Sequence, residues 1–122
     1  MRTKMLGLAG VTVMMLAGPA LAHHSFAMFD ATKTLEFEGT IKEFQWTNPH
    51  SWLQVMVTDE TGKETEWSLE MGSPGSLARS GWRPRTVQPG MEVTVTLHPL
   101  KDGSAGGQFL SVVLPDGTVM GE

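Results

Sequence analysis

Residues 34–50, "TLEFEGTIKEFQWTNPH", decide the fold. Leu35, Phe37, Gly39 and Ile41 alternate with Glu36, Glu38 and Thr40, the two-residue period of a strand buried on one face. Phe44 and Trp46 then fall in the opposite phase. A phase slip inside one apolar segment predicts a bulge or sharp bend, and Gly39 just before it suits that. Thr47-Asn48-Pro49 ends the strand. The segment therefore reads as one long first strand, bent in its middle.

Downstream the two-residue period returns. A second strand runs from about Trp52 to Thr58, with Leu53, Val55 and Val57 on one face. Asp59 to Lys63 turns the chain, and a third strand, Thr65 to Met71, puts Thr65, Trp67, Leu69 and Met71 inward and Glu64, Glu66, Ser68 and Glu70 outward. Ser73 then suits a helix cap, Pro74 its first position and Gly81 its end, so a short helix is expected. After Gln88-Pro89-Gly90 a fourth strand carries Met91, Val93, Val95 and Leu97 on one face and Glu92, Thr94, Thr96 and His98 on the other. Lys101 to Gly107 is a glycine-rich loop, Gln108 to Leu114 a fifth strand, and Pro115-Asp116-Gly117 leads into a short tail. Five strands, the first one bent, with one helix between the third and fourth, predict an all-β, five-stranded OB-fold-like barrel.

Upstream of Thr34 the chain has two parts. Residues 1–22 read as a secretory signal peptide: Arg2 and Lys4, an uncharged apolar run from Met5 to Pro19, then the small residues of Ala20-Leu21-Ala22. The run is short for a membrane span, which needs about 20 apolar residues. No cysteine follows it for a lipid anchor. Cleavage after Ala22 leaves an arm, residues 23–33, ahead of the barrel domain, residues 34–122, in a periplasmic or secreted protein. With Arg2 and Lys4 gone from 9 basic residues against 13 acidic ones, the formal charge moves from −4 to −6. That argues against a nucleic-acid partner, which needs a basic footprint. The count of 0 cysteines removes disulfides, thiolate metal sites and cysteine nucleophiles. There is no G-x-S-x-G elbow and no phosphate-binding loop pattern.

The four histidines, His23, His24, His50 and His98, all follow the cleavage site, and none lies within an apolar run. If His23 becomes the first residue, it offers its α-amine and its ring together, and His24 adds a second ring. Clustered nitrogen donors suit Cu(II), which tops the affinity order for first-row divalent ions. Such a terminus resembles the amino-terminal histidine copper sites of copper-dependent polysaccharide monooxygenases and some periplasmic copper chaperones, at His23 alone. His50 or His98 would complete the site. The arm of 11 residues spans up to about 36 Å, so it reaches either. If strands one and four are antiparallel, His98 lies near the arm and His50 at the far end of strand one, and chain direction favours His98. The alternative is that these histidines are solvated surface residues. Trp52, Asn48 and Lys101 would then mark the ligand face of a metal-free protein- or ligand-interaction module. A copper-dependent oxidoreductase ranks third. Among other candidates, the methionines read as gap-fillers, Trp67 as core, the glutamates as solvated strand faces, and Arg79, Arg83 and Arg85 as a solvated cluster.

The segments "AHHSFAMFD", "GTIKEFQWTNPHSWLQV", "LARSGW", "PGMEVTV" and "HPLKDG" resemble a family of small exported bacterial proteins known as a domain of unknown function. The resemblance spans nearly all of residues 22–117. It implies a periplasmic or secreted β-barrel domain and no particular activity. On the residues, the expected protein is a small binding module, not an enzyme, whose ligand is a copper ion or a periplasmic protein.

Overall fold

A computed structural model describes residues 26–122 of the chain. The segment read as a signal peptide, His23 and His24 lie outside the described residues. The elements are β1 (Leu35–Gln45), β2 (Trp52–Thr58), β3 (Glu64–Glu70), α1 (Pro74–Arg79), β4 (Glu92–Pro99), β5 (Gly106–Val113) and β6 (Val119–Gly121), preceded by a single 3-10 turn at Phe26–Met28. Among the described residues no helix is long and apolar enough to cross a membrane.

The phase slip in β1 is a bulge. Ile41 pairs with Val55 and Glu43 with Gln54, which leaves Lys42 as the extra residue. Lys42 turns outward and its Nζ donates to Glu66 Oε2 at 2.6 Å. The bend lets β1 serve two neighbours: Leu35 to Thr40 pair with β4, and Thr40 to Gln45 pair with β2. Gly39 sits where these ladders meet. A Cβ there would fall 2.6 Å from Val55 Cγ1 and 2.7 Å from the Met56 carbonyl oxygen, so only glycine allows this approach.

β2 pairs with β3 and β4 with β5, all antiparallel. A parallel ladder, Ser68 to Glu70 against Gly106 to Gln108, then joins β3 to β5 and closes the five-stranded barrel. With α1 between β3 and β4, this is the expected OB-like arrangement. The inward residues form one core, including Ile41, Leu53, Val55, Leu69, Val95, Leu97, Phe109 and Val112. Leu77 of α1, with Trp82 and Val87 beyond it, joins the same core. Trp82 packs against Phe44 and Phe109, ring centroids 5.7 and 5.6 Å apart.

Two features depart from the sequence reading. The tail expected after Pro115 forms β6, which pairs with the half of β5 that β3 leaves free, at Ser111 to Val113. β5 also begins at Gly106, two residues inside the segment expected to be loop.

Candidate functional site

Closure through β3 and β5 aligns four residues in one row around the barrel. Trp52 pairs with Glu70, Glu70 with Gln108, and Gln108 with His98. Their neighbours Leu53, Leu69, Phe109 and Leu97 are buried inside, so strand alternation turns all four outward. At about 4.8 Å per strand the row is about 14 Å long. Along β1 the His50 and His98 ends are far apart, as the sequence suggested. Around the barrel they return to the same rim.

The arm is strapped across this row. Phe29 forms a β-bridge with Leu100, Asp30 N donates to Pro99 O at 2.8 Å, and Lys101 N donates to Met28 O at 3.0 Å. At its near end His98 Nδ1 lies 2.8 Å from Lys33 O. A carbonyl only accepts, so this nitrogen carries the proton and Nε2 keeps a lone pair in the neutral ring. At its far end Phe29, which is buried, and Phe26, which is exposed, border a cleft of about 60 Å³ shared with His50, Glu70, Gln108 and Glu122.

His50 is held by the loop between β1 and β2. Ser51, fully buried, exchanges backbone bonds with the end of β3: its N donates to Gly72 O and its carbonyl accepts from Met71 N, both at 2.9 Å. Thr47 Oγ1 donates to His50 O at 2.8 Å, across the cis Asn48–Pro49 peptide. His50 Nδ1 lies 3.0 Å from Met71 O, so here too Nδ1 is the protonated nitrogen and Nε2 keeps the lone pair. Glu70 Oε1 stands 3.6 Å from the same Nδ1, on a side chain only 9% exposed. Glu122 Oε1 accepts from Gly72 N at 2.7 Å. Burial pushes the Glu122 carboxyl above the ordinary glutamate range, against the Gly72 hydrogen bond and the nearby His50, which pull it down.

The structure thus gathers His50, Trp52 and His98 on one rim, with His98 lying against the near end of the arm and His50 at its far end. Asn48 is exposed at the loop tip. Lys101 is exposed as well and meets the arm through its backbone. Among the described residues no three of His, Asp and Glu converge on a metal position. The carboxylate within ion-pair distance of His50 is Glu70, which alternation alone had marked as a solvated strand residue. Its burial comes from the arm and from β5, contacts that are distant in sequence. Phe26, Phe29 and Glu122 were missed for the same reason. Of the tryptophans, Trp82 is fully buried, Trp67 packs on Phe37 with ring centroids at 4.6 Å, and Trp46 packs on Phe44 at 5.8 Å. Trp52 stands on the outer face. Arg83 Nη1 donates to Ala78 O and Trp82 O, a structural use of one member of the arginine cluster. A larger open groove, of about 500 Å³, follows β1 where it passes from β2 to β4 and includes Glu38, Thr40, Glu92 and Thr94.

Fold and site together define a small all-β barrel with a strapped arm and a histidine–carboxylate cleft on its rim. The chain belongs to a family of unknown function, DUF6152, whose model matches residues 11–109. No curated protein and no solved structure matches the chain.

Proposed function

We propose that this protein is an exported, periplasmic or secreted binding module that holds Cu(II) at its amino terminus and serves metal handling or delivery to a partner. After cleavage behind Ala22, His23 supplies its α-amine and ring, His24 its ring, and His50 the donor from the barrel. One observation carries the choice of His50. Phe26 borders the cleft that His50 lines, and Phe26 follows His24 by two residues, a span of at most about 7 Å. The bond from His50 Nδ1 to Met71 O leaves Nε2 for a metal, the way a metal-bound histidine ordinarily has its other nitrogen committed, and His98, bonded to Lys33 O, shares this feature. Ions of this class bind readily to such nitrogen donors near neutral pH.

The test begins with mass spectrometry of the exported protein, where the expected first residue is His23. Cu(II) titration read by electron paramagnetic resonance then compares this protein with one carrying an extra residue ahead of His23. The extension is expected to weaken binding by at least about tenfold, or 1.4 kcal/mol. His50→Ala should weaken it as well, and His98→Ala should leave it within about twofold. A different first residue, or equal weak binding by both proteins, ends the reading. A metal-free interaction module then remains, supported by Trp52 on the outer face between Asn48 and the arm. Its readout would be loss of partner binding in Trp52→Ala.

A further inference from the structure

Along its first half β1 has a neighbouring strand on one side only. Its ladder with β2 ends at Thr40 and Met56, so Leu35 to Gly39 pair with β4 alone. Ile41 N donates to Met91 O at 2.9 Å, and Ile41 O accepts from Gly90 N at 2.8 Å. By alternation Leu35, Phe37 and Gly39 turn their main-chain groups the same way, toward β4, and Glu36 and Glu38 turn theirs to the side that β2 has left. Among the described residues no strand pairs with that edge. The groove of about 500 Å³ opens here, with Glu38 and Thr58 of the two parted strands among its walls. It shares no residue with the rim cleft, so a ligand there is independent of any metal.

We propose that this edge of β1 is a docking site for an extended basic segment of a partner protein, which adds to the sheet as a strand and alternates lysine or arginine with apolar residues. Unpaired N–H and C=O groups on a strand edge are a template for such addition. The two faces of the edge select the side chains. On the outer face Glu36, Glu38 and, across the ladder on β4, Glu92 are exposed, and none of the three carboxylates is in an ion pair or hydrogen bond with a described residue. No lysine or arginine lines the groove, and Lys42, further along β1, is already neutralised by Glu66. On the inner face Phe37 packs on Trp67 with ring centroids at 4.6 Å, and both rings, like Val57 of β2, are only half-buried. A strand laid along β1 therefore meets carboxylates with one set of alternate side chains and apolar surface with the other. A second copy of this chain is a poor occupant. Edge-to-edge pairing would set Glu36 and Glu38 against their own counterparts, and like charges opposed across a ladder repel.

The experiment titrates three short synthetic peptides into the exported protein, read by calorimetry and by backbone amide exchange. One alternates Lys and Val, the second alternates Glu and Val, and the third is the Lys-Val peptide N-methylated along its backbone, which keeps the charge and removes the donors. The Lys-Val peptide is expected to bind and the Glu-Val peptide not to. N-methylation should weaken binding by about tenfold or more. The amides of Glu36 and Glu38 should exchange freely in the unbound protein and slow by about tenfold or more on binding, while those of Phe37 and Gly39, bonded to β4, are slow throughout. Glu38→Gln together with Glu92→Gln, both at exposed positions, should weaken binding by about fivefold, and Glu43→Gln, beyond the bulge, should leave it within about twofold. Absence of binding by the Lys-Val peptide overturns the proposal. So does equal binding by its N-methylated form, which would reduce the contact to charge attraction, and so does protection that appears at β6 or the arm in place of Glu36 and Glu38. Slowing of these two amides by protein concentration alone, with no peptide present, would make the occupant a second copy and overturn it as well.

Discussion

Gly107 shows how much a single residue controls. It lies in β5 where that strand meets both β3 and β4, and a Cβ there would fall 2.5 Å from Leu97 Cδ1 and closer still to the His98 carbonyl oxygen. Backbone cannot yield as a flexible side chain does. Gly107→Ala is therefore expected to lower stability by about 2–3 kcal/mol, read as a shift of the urea midpoint. Gly75, inside α1, is the control. A Cβ there meets only the end of Arg79, at 3.8 Å, and Gly75→Ala should stabilise by about 0.5–1 kcal/mol. In sequence both are unremarkable glycines, and Gly107 reads as part of a loop. The same limit applies to the site. Its histidines stand out by residue type, whereas Glu70 repeats the pattern of Glu64 and Glu66 and differs from them only in what covers it.

At the scale of elements, legibility followed length. β1, β2, β3 and β4 each show several turns of the two-residue period, and the helix announces itself by Ser73, whose Oγ accepts from Ser76 N at 3.2 Å, and by Pro74 after it. β6 has three residues, too few to display a period, and its place is set by Trp82, whose Nε1 donates to Gly121 O at 3.0 Å. Trp82→Phe removes that donor and leaves the carbonyl without its partner. The expected cost is about 1–3 kcal/mol in thermal unfolding, together with faster amide exchange along β6. The turns repeat a device that the sequence displays openly. At Asp30, Asp59, Asp102 and Asp116 the carboxylate accepts the backbone N–H two residues on, from Thr32, Thr61, Ser104 and Thr118, at 2.8–3.1 Å. Asp-x-Thr/Ser is thus a stronger turn signal in this chain than its glycines and prolines.

For the whole molecule these four turns contribute to the response to acid. The hydrogen bonds from the Thr and Ser partners hold all four aspartates below the ordinary range. Their stabilisation is complete above the unfolded aspartate value and is lost as pH falls through the lowered folded values. Glu122 has the opposite sign. Its raised value costs stability as pH climbs from the ordinary glutamate range through the folded one. The urea midpoint should therefore fall steadily once the pH drops below about 4, and Asp59→Asn, which keeps the turn acceptor but not the charge, should flatten that fall. A midpoint equally acid-sensitive in the variant would assign the effect elsewhere. The barrel itself was legible because three of its ladders, β1–β2, β2–β3 and β4–β5, join strands adjacent in sequence. The closing ladder was reachable only by matching the order of elements to a known architecture.

That closing ladder also carries a consequence in time. Glu70 and Gln108 become neighbours only when β5, the last of the barrel strands in chain order, docks beside β3. A chain not yet folded has no such neighbourhood, however many histidines it displays. If the cleft captures an ion, capture reports that assembly is finished, and the cargo is withheld from a half-made carrier.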